Sequence, residues 1–436
     1  MSGGPDVTPP SAPRAPTLAE ALPVWLKVGL LGFGGPAGQI ALLHREVVET
    51  RKWVADDEFA RALSFCMLLP GPEAQQLATW LGWRLHGIRG GLAAGLLFVL
   101  PGLTVILGLS ALYVVHGRSD WAGPVLLGLK AAVVALVVQA LARIGQRALK
   151  DRAAVAVAIS AFALMAFTVV PFPLVVIAAG VVGWVIGGRG AQDPAPAAPT
   201  RSGGARVALV CLAAWLAPII LAWTIAPGST LAWMGLTFGG LAVISFGGAY
   251  AALAYLGQAA ASFGWLSATQ MLDGLGLAET TPGPLVLVFV FVGFVGAFQS
   301  APPDAAWAVG FLGGLMAAWV TFAPSFLWIF AGGPLFERWG RRPRPGRALA
   351  MVSAAAVGVI GQLALWFAIH LLFRGGWTLE FGVARVTVPN LGSLDVAALG
   401  LTGLALALTF VLRLPMLAMI VAMVVTAVLL KAFGLY

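Results

Sequence analysis

The sequence predicts an all-α polytopic membrane protein with two inverted-topology repeats, whose helices are broken or re-entrant at FGG and PGP motifs. Three observations lead to this prediction. Of the 436 residues, 60% are hydrophobic and 10% are charged, and the mean hydropathy is +0.94. Motifs of the first half recur in the same order in the second half. Lysine and arginine are distributed unequally between the equivalent loops of the two halves.

The composition excludes an ordinary soluble enzyme, because about 25% of the residues of a soluble domain are charged. The net charge is +9, but the basic residues lie between apolar runs. The positive-inside rule therefore explains them better than a nucleic-acid partner does, and we expect a lipid bilayer around the chain and no nucleic acid. Cys66 and Cys211 lie in apolar stretches and the four histidines are scattered, so we expect no disulfide, no metal site and no cofactor.

An internal repeat explains the motif pattern, and such duplications are common in transporters. Equivalent positions are 212 or 213 residues apart at first and 223 residues apart further along. The matches are FGG at 33–35 and 246–248, Trp53 and Trp265, PGP at 70–72 and 282–284, GGL at 90–92 and 313–315, and Pro101 and Pro324.

The charge pattern predicts that the second repeat is inverted in the membrane. The loop after the first FGG carries Arg45, Arg51, Lys52 and Arg61, whereas residues 207–337 contain no lysine or arginine. By the positive-inside rule the first loop is cytoplasmic and its equivalent is on the other side. Further basic clusters at 143–152, 189–206 and 338–347 also indicate cytoplasmic loops.

Apolar segments divide the chain into five parts. We predict a disordered N-terminus (1–17), a first repeat (18–188), a flexible linker (189–204), a connecting transmembrane helix (205–226) and a second, inverted repeat (227–436). Within the repeats, eight further segments can cross a core that needs about 20 apolar residues. They are approximately 88–116, 122–142, 153–170, 172–188, 305–334, 348–373, 396–412 and 414–434.

Four remaining apolar segments are interrupted near their middle by glycine or proline: 18–43 and 231–256 around FGG, and 60–85 and 275–298 around PGP. Basic residues on both sides of the first PGP favour a re-entrant segment with both ends on the cytoplasmic side. Irregular backbone at membrane depth survives only inside protein or beside a wet cavity. The alternative is that all 13 apolar segments cross, which keeps the inversion but places the first basic loop outside.

The broken helices are candidates for an anion-binding site. A proline after glycine ends one helix and begins another, whose N-terminus presents free N–H groups and a partial positive charge. The alternative is that PGP only kinks packed helices. The candidate substrate-binding residues are Gly34, Gly35, Pro70, Gly71, Pro72, Gln75, Lys130, Gly247, Gly248, Pro282, Gly283 and Pro284.

Two charged residues lie in apolar surroundings. Glu73 directly follows PGP and is either a carboxylate at a helix start or a proton-coupling group inside the membrane. Lys130 is central in an apolar span, where it either snorkels or takes part in function. Their counterparts in the second half are Leu285 and Ser353, so the two halves are not expected to be equivalent in transport.

Four segments of the first half carry a family resemblance: GFGGP (32–36), RKWV…EF (51–59), LPGPEAQQLATWLG (69–82) and GGLAAGLLFVLPG (90–102). Together with FGGAY (246–250), Trp265 and TPGP (281–284), they resemble the long, two-domain members of the chromate ion transporter family. The resemblance implies export of chromate across the bacterial inner membrane, coupled to the proton-motive force and linked to chromate resistance. It also marks the FGG and PGP motifs, Glu73 and Gln75 as important positions.

Chromate is a tetrahedral dianion, and helix N-termini with a lysine suit such an ion. Glu73 would repel it unless the carboxyl is protonated or paired with Lys130. We therefore expect a secondary transporter with Glu73 as proton carrier and Lys130 as counter-ion or ligand. Transport of sulfate or another oxyanion, and a non-transport subunit of a membrane complex, remain alternatives. The sequence lacks the acid pairs and nucleophile–base arrangements of an enzyme, and a homodimer stays open because no motif specifies one.

Overall fold

A computed structural model describes residues 16–187, 204–245, 249–332 and 343–434. Helices dominate these residues, and five of them are long and apolar enough to cross a bilayer, by length and composition. The prediction of an all-α polytopic membrane protein is confirmed, with one small β-hairpin as an addition. Most of the predicted disordered N-terminus (1–17) and of the predicted linker (189–204) lies outside the described residues.

The first half contains seven helices within its described residues. They are α1 (Leu18–Leu31), α2 (Gly35–His44), α3 (Asp56–Cys66), α4 (Glu73–His116), α5 (Ala122–Ala148), α6 (Arg152–Phe167) and α7 (Phe172–Ile186). A π-helical turn, Arg45–Thr50, continues α2. Local sequence sets several of the helix starts: Thr17 forms a capping box with Glu20, and the Asp151 carboxylate accepts from the Ala154 N–H.

The second half repeats this order after one connecting helix, α8 (Gly204–Ile225). The helices that follow are α9 (Thr230–Ile244), α10 (Ala249–Ser262), α11 (Ala268–Glu279), α12 (Val288–Ser300), α13 (Ala306–Leu327), α14 (Pro343–Leu372), α15 (Val396–Phe410) and α16 (Met416–Ala432). A 3₁₀ turn, Leu285–Leu287, precedes α12, and a π-helical turn, Trp328–Gly332, follows α13. A further 3₁₀ turn, Leu391–Ser393, precedes α15.

Helix α4 is a hairpin of two helices, which we call α4a (73–85) and α4b (88–116). The chain reverses at His86 and Gly87, whose backbone angles are not helical. Gly82 and Gly90 then face each other so closely that a Cβ on Gly82 would lie 2.3 Å from the Gly90 carbonyl oxygen. In the second half, α12 and α13 meet in the same way, and a Cβ on Gly293 would lie 2.4 Å from the Gly313 carbonyl oxygen. Small residues allow this close approach of the two backbones in both hairpins.

The segment around the first PGP has both of its ends on the same side. The Arg84 guanidinium, at the end of α4a, donates to the Glu58 carboxylate near the start of α3 at 2.6 Å. Because α3 and α4a are joined at PGP and their outer ends meet, they form a pair of antiparallel half-helices. A re-entrant position of this pair in the membrane stays a prediction.

All nine predicted spans coincide with helices, but four of these helices have fewer than 18 residues. Helices α6, α7, α15 and α16 have 16, 15, 15 and 17 residues. A helix of 16 residues is about 24 Å long, which is less than the thickness of about 30 Å of the hydrocarbon core. They are therefore not among the five helices that are long enough to cross by themselves.

A β-hairpin follows α14, where the sequence analysis predicted no structure. Strands β1 (Gly376–Phe381) and β2 (Ala384–Pro389) pair antiparallel, and Gly382 in the turn has φ +60°. The hairpin lies against the loop after α6, where the Val169 N–H donates to the Val383 carbonyl oxygen at 3.0 Å. The alternation of β-branched and polar residues in ARVTVP is the sequence pattern that indicates a strand here.

Helices of each half pack against helices of the other half. Helix α5 packs against α15 and α16, and α14 packs against α6 and α7. Glycines allow this contact: a Cβ on Gly128 of α5 would lie 2.7 Å from the Met423 carbonyl oxygen, and one on Gly358 of α14 would lie 2.0 Å from the Ala158 carbonyl oxygen. The two halves are therefore packed tightly against each other through α5 and α14.

Small details also repeat between the halves. The Trp53 backbone N–H donates to the Val47 carbonyl oxygen at 2.8 Å, and the Trp265 backbone N–H donates to the Ala260 carbonyl oxygen at 2.8 Å.

An ion pair between Arg347 and Asp151, at 2.7 Å, brings together two basic clusters that we predict to be cytoplasmic. The inverted orientation of the second repeat and the domain boundaries stay predictions.

Candidate functional site

The two PGP loops have the same backbone conformation. Gly71 has φ +108° and Gly283 has φ +106°, in a region that L side chains rarely adopt. The proline after each glycine is extended, and a new helical segment follows it. Glycine is therefore required between the two prolines of each motif, and the two segments are broken at equivalent points.

Each PGP loop is hydrogen-bonded to the other half of the chain. The Gly71 N–H donates to the Ser245 carbonyl oxygen at 3.3 Å, and the Gly283 N–H donates to the Gly32 carbonyl oxygen at 3.0 Å. Gly32 and Ser245 immediately precede the two FGG motifs. We call the contact of Gly71 with Ser245 the first crossing and that of Gly283 with Gly32 the second crossing.

A long helix of the opposite half also packs on each PGP loop. Gly102 of α4b lies at the second crossing, where an added Cβ would be 2.0 Å from the Pro282 carbonyl oxygen. Ser325 of α13, its equivalent at the spacing of 223 residues, lies at the first crossing, with its Oγ 3.9 Å from where a Cβ of Gly71 would be. The structure thus brings Pro70, Gly71 and Pro72 together with α13, and Pro282, Gly283 and Pro284 together with α4b.

The first FGG motif separates α1 from α2. Gly34 and Gly35 have φ +94° and +66°, and no atom lies within 4 Å of a Cβ built on Gly35. The buried Gln39 amide donates to the Gly32 carbonyl oxygen at 3.1 Å and also to that of Gly283, so it fastens the second crossing. Gly247 and Gly248 of the second FGG lie outside the described residues.

Helices α4a and α13, which meet at the first crossing, carry buried side-chain atoms without hydrogen-bond partners among the described residues. The unpartnered atoms are Oε1 of Gln75 and Gln76, Oγ1 of Thr79 and Thr321, and Oγ of Ser325. All five residues are at most 3% exposed. Buried polar groups are normally hydrogen-bonded, so such a group of unsatisfied atoms needs an explanation.

The start of α4a adds backbone donors to this region. The Gln76 N–H donates to the Pro72 carbonyl oxygen at 3.0 Å, so the N–H groups of residues 73–75 precede the first intrahelical bond. The side-chain amides of the two glutamines are engaged with the carbonyl oxygens of Phe322 and Pro70. Three hydroxyls and a helix N-terminus are donors suited to an oxyanion.

The second crossing, in contrast, has apolar residues at the positions equivalent to these polar side chains. At the repeat spacings, Gln75, Gln76 and Thr79 correspond to Leu287, Val288 and Phe291, and Thr321 and Ser325 correspond to Phe98 and Gly102. The four apolar side chains at these positions are at most 1% exposed. The second crossing is therefore filled mainly by packing. It keeps the buried Gln39 amide, whose Oε1 also lacks a partner among the described residues, but the unsatisfied hydroxyls lie on the helices of the first crossing.

Glu73 is the first residue of α4a and lies directly at the first crossing. Its side chain is half-buried, and within the described parts of the chain no basic side chain forms an ion pair with it. The pairing of Glu73 with Lys130 considered from the sequence is not formed. Lys130 instead pairs with Asp273 of α11, with 3.2 Å between Nζ and Oδ1.

Two buried acids on α11 were missed by the sequence analysis. Asp273 accepts a hydrogen bond of 2.9 Å from the Tyr113 hydroxyl, and Glu279 accepts one of 2.9 Å from the Tyr250 hydroxyl. The residues are 3% and 5% exposed. Their signal was present in the sequence, because acidic residues in an apolar segment are functional candidates by default.

A cavity of about 1020 Å³ lies between α4b, α8 and α13, but its chemistry does not suit an anion. Its lining is almost entirely apolar and includes Leu96, Leu100, Leu221 and Trp319. Gln75 lines one edge of it. The exposed apolar side chains of α8 continue this surface, as expected for a face in contact with lipid.

A second cavity, of about 670 Å³, is more polar. It lies between the end of α6, α10, α14 and β2, and its lining includes Gln258, Gln362, His370 and Arg385. The Gln362 Oε1 atom is buried and has no hydrogen-bond partner among the described residues. This cavity is on the side of the β-hairpin, away from the Asp151–Arg347 pair.

Comparison with known proteins agrees with these features. The model of a family described as Chromate transporter matches residues 19–184 and 232–429. A chromate transport protein of Pseudomonas aeruginosa is 31% identical over 397 residues, which cover 90% of this chain and 87% of that protein.

A chromate transport protein of Cupriavidus metallidurans is 30% identical over 348 residues, which cover 79% of this chain and 81% of that protein. An uncharacterized transporter of Methanocaldococcus jannaschii is 23% identical over 350 residues, covering 79% and 83%. No solved structure matches the chain. Since the family model covers both halves and relatives about 30% identical span most of the chain, this protein belongs to the chromate transporter family.

Proposed function

We propose that this protein exports chromate from the cytoplasm across the bacterial inner membrane, driven by the proton-motive force, and thereby confers chromate resistance. Family membership supports chromate as substrate, since two relatives of similar length are named chromate transport proteins. The observation that carries the proposal is the contrast between the crossings. Among the described residues, the unsatisfied buried hydroxyls lie on α4a and α13, the helices of the first crossing, and not on their equivalents at the second.

The substrate site is the first crossing. A tetrahedral dianion placed there accepts hydrogen bonds from the N–H groups of residues 73–75 and from the hydroxyls of Thr79, Thr321 and Ser325. These donors belong to both halves of the chain, so relative movement of α4a and α13 opens or closes the site. Alternating access by such rocking of repeats is common in transporters.

Glu73 couples chromate movement to protons. Its carboxylate at the start of α4a occupies the place that favours a negative charge, and so competes with the dianion. Protonation of Glu73 removes this competition and admits chromate, and release of chromate allows the proton to leave. Alternating protonation of Glu73 follows, with the proton and the dianion bound at the same time. Together they carry a net charge of about −1, so the membrane potential, negative inside, is the part of the proton-motive force that drives them outward.

The routes to and from the site differ in charge. Arg45, Arg51, Arg84 and Arg89 lie on the side that we predict to be cytoplasmic, where they attract anions as well as set topology. On the other side, the polar cavity with Gln258, Gln362, His370 and Arg385 is the route of release. A homodimer is compatible with this arrangement, because each chain contains a complete site.

The test is chromate flux in proteoliposomes of the purified full chain with an imposed pH gradient, with and without excess sulfate. We expect gradient-driven flux that sulfate inhibits weakly. Flux that sulfate abolishes identifies a general oxyanion transporter. Protein that is shown to be folded but gives no flux supports a non-transport subunit and overturns the proposal.

A further inference from the structure

A buried ion pair joins the two halves away from the first crossing. Lys130 of α5 and Asp273 of α11 are separated by 3.2 Å, with side chains 15% and 5% exposed. The Tyr113 hydroxyl of α4b donates to the second carboxylate oxygen of Asp273 at 2.9 Å. The pair thus connects two helices of the first half to the helix that leads into the second PGP loop.

Its depth follows from the helix geometry. Lys130 is eight residues from the start of α5 and Asp273 is five residues from the start of α11, which correspond to about 12 Å and about 8 Å along the helices. Helix α5 begins on the side opposite the Asp151–Arg347 pair, which follows its end, and α11 leads into the second PGP loop. The ion pair therefore lies between the start of α5 and the second crossing.

The lysine has little freedom to reach water. Gly276 of α11 faces Leu129 of α5 so closely that a Cβ on Gly276 would be 2.8 Å from the Leu129 Cβ. The Tyr113 ring packs edge-on against Phe291 of α12, with ring centroids 5.0 Å apart. Because the helices are tightly packed around it, the Lys130 ammonium needs an anionic partner inside the protein.

We infer that Lys130 is a second ligand for the oxyanion during export, and that the protonation of Asp273 controls whether Lys130 is free to bind it. We call this control the lock, and it rests on the proposed function. With Asp273 ionised, its carboxylate occupies Lys130. When Asp273 takes up a proton, the ammonium loses its partner and binds the tetrahedral dianion instead. The proton leaves the carboxyl when the dianion departs, and the ion pair forms again.

The surroundings of Asp273 contain few other charges. Tyr113 faces it from α4b, with Arg118 beyond the end of that helix, and Lys130 faces it from α5. Phe291 is the neighbour from α12, and Glu279, further along α11, is engaged with Tyr250 of α10. The ionisable residues of α14 lie near its ends: Arg344, Arg347 and His370.

The test is chromate binding to purified full-length protein, measured by calorimetry between pH 6 and pH 8. In the wild-type protein we expect affinity to strengthen as the pH falls. Asp273→Asn keeps the shape and frees Lys130, so it should bind chromate about tenfold more tightly at pH 8 and lose most of the pH dependence. Lys130→Met should bind at least tenfold more weakly at every pH. Ser353→Ala, at the equivalent position of the second half, is the matched control.

A merely structural pair gives a different pattern. The exchange variant Lys130→Asp/Asp273→Lys restores opposite charges, so a structural role predicts recovery of binding and of its pH dependence. We expect neither, because the lysine then projects from the wrong helix. Wild-type pH dependence in Asp273→Asn, or wild-type affinity in Lys130→Met, overturns the lock while wild-type flux leaves the proposed function standing. Absence of chromate binding and flux in the wild-type protein overturns both.

Discussion

The ionisable residues inside this protein differ in their side-chain partners. Lys130 forms an ion pair with Asp273, and Glu279 accepts a hydrogen bond from Tyr250, whereas Glu73 has neither kind of side-chain partner among the described residues. An unpaired carboxylate at membrane depth is costly, so its protonation is coupled to what else occupies the site. Glu73 and Lys130 were found from the sequence, because each interrupts an apolar stretch. The sequence did not show that Glu73 and Lys130 are not in contact, because this depends on the packing of α5 against α11.

Glu73→Gln should separate proton coupling from chromate movement. We expect flux driven by a pH gradient to fall at least tenfold, while chromate–chromate exchange across the membrane is retained, because exchange needs no net proton movement. Both fluxes are measured in proteoliposomes. Asp57→Asn, which removes an exposed acid of α3, is the control. Full activity with unchanged pH dependence in Glu73→Gln would eliminate the proton role.

Thr79→Val should weaken chromate binding without changing the fold. The substitution keeps the shape of the side chain and removes one hydroxyl donor, and a hydrogen bond to a charged group contributes about 1.5–3 kcal/mol. We therefore expect KM for chromate to rise roughly tenfold or more. Thr402→Val is the matched control, since that buried hydroxyl is already bonded to the Ala398 carbonyl oxygen. Equal KM values for the two variants would exclude Thr79 as a ligand.

At the scale of elements, glycine positions decide where helices break and how closely they pack. The sequence predicts the breaks well, because PGP and FGG are local signals. It does not predict that the 88–116 span is one arm of a hairpin with α4a. That contact depends on Gly82 meeting Gly90, and many other glycines of this sequence have no such partner.

Gly283→Ala should destabilise the protein more than Gly264→Ala does. Gly283 has φ +106° and an added Cβ would be 3.1 Å from Leu287, whereas Gly264 has φ +67° with no atom within 4 Å of its Cβ. Backbone strain of this kind costs about 1–3 kcal/mol. Thermal unfolding of the two purified variants gives the comparison. A smaller decrease in melting temperature for Gly283→Ala than for Gly264→Ala would contradict the loop geometry assigned to Gly283.

His44 connects the end of α2 to the start of α3 outside the membrane-spanning segments. Its hydrogen bond to Asp56, at 2.7 Å, and a second one to Glu49 raise the pKa of the imidazole above its ordinary value of 6.5. Since the pKa is raised in the folded state, this stabilisation is fully present below pH 6.5 and is lost as the pH rises through the higher folded value.

We therefore expect the thermal stability difference between wild type and His44→Gln to be largest near pH 6 and to vanish at high pH. Melting curves of both proteins at pH 6 and pH 9 measure it. Aspartate and glutamate neighbours titrate below this range, so they do not produce the same change. A stability difference between the two proteins that grows with pH would contradict the raised pKa of His44.

At the scale of the whole molecule, α5 and α14 each pack against helices of the opposite half. The inverted orientation of the repeats remains a prediction from charge, and two equivalent positions test it. Thr50 and Ser262 are both exposed and 212 residues apart. In a variant with Cys66→Ala and Cys211→Ala, Thr50→Cys should react with an impermeant maleimide only from the cytoplasmic side and Ser262→Cys only from outside. Reaction of both from one side would refute the inversion.

The sequence by itself determined the membrane class, the duplication, the broken helices and the family, because each depends on composition or on residues close together in the chain. Only the tertiary structure decided which groups meet. It joins each PGP loop to the opposite half, confines the unsatisfied hydroxyls to the first crossing and pairs Lys130 with Asp273. These contacts link residues more than a hundred positions apart, and they depend on helix packing that no local pattern specifies.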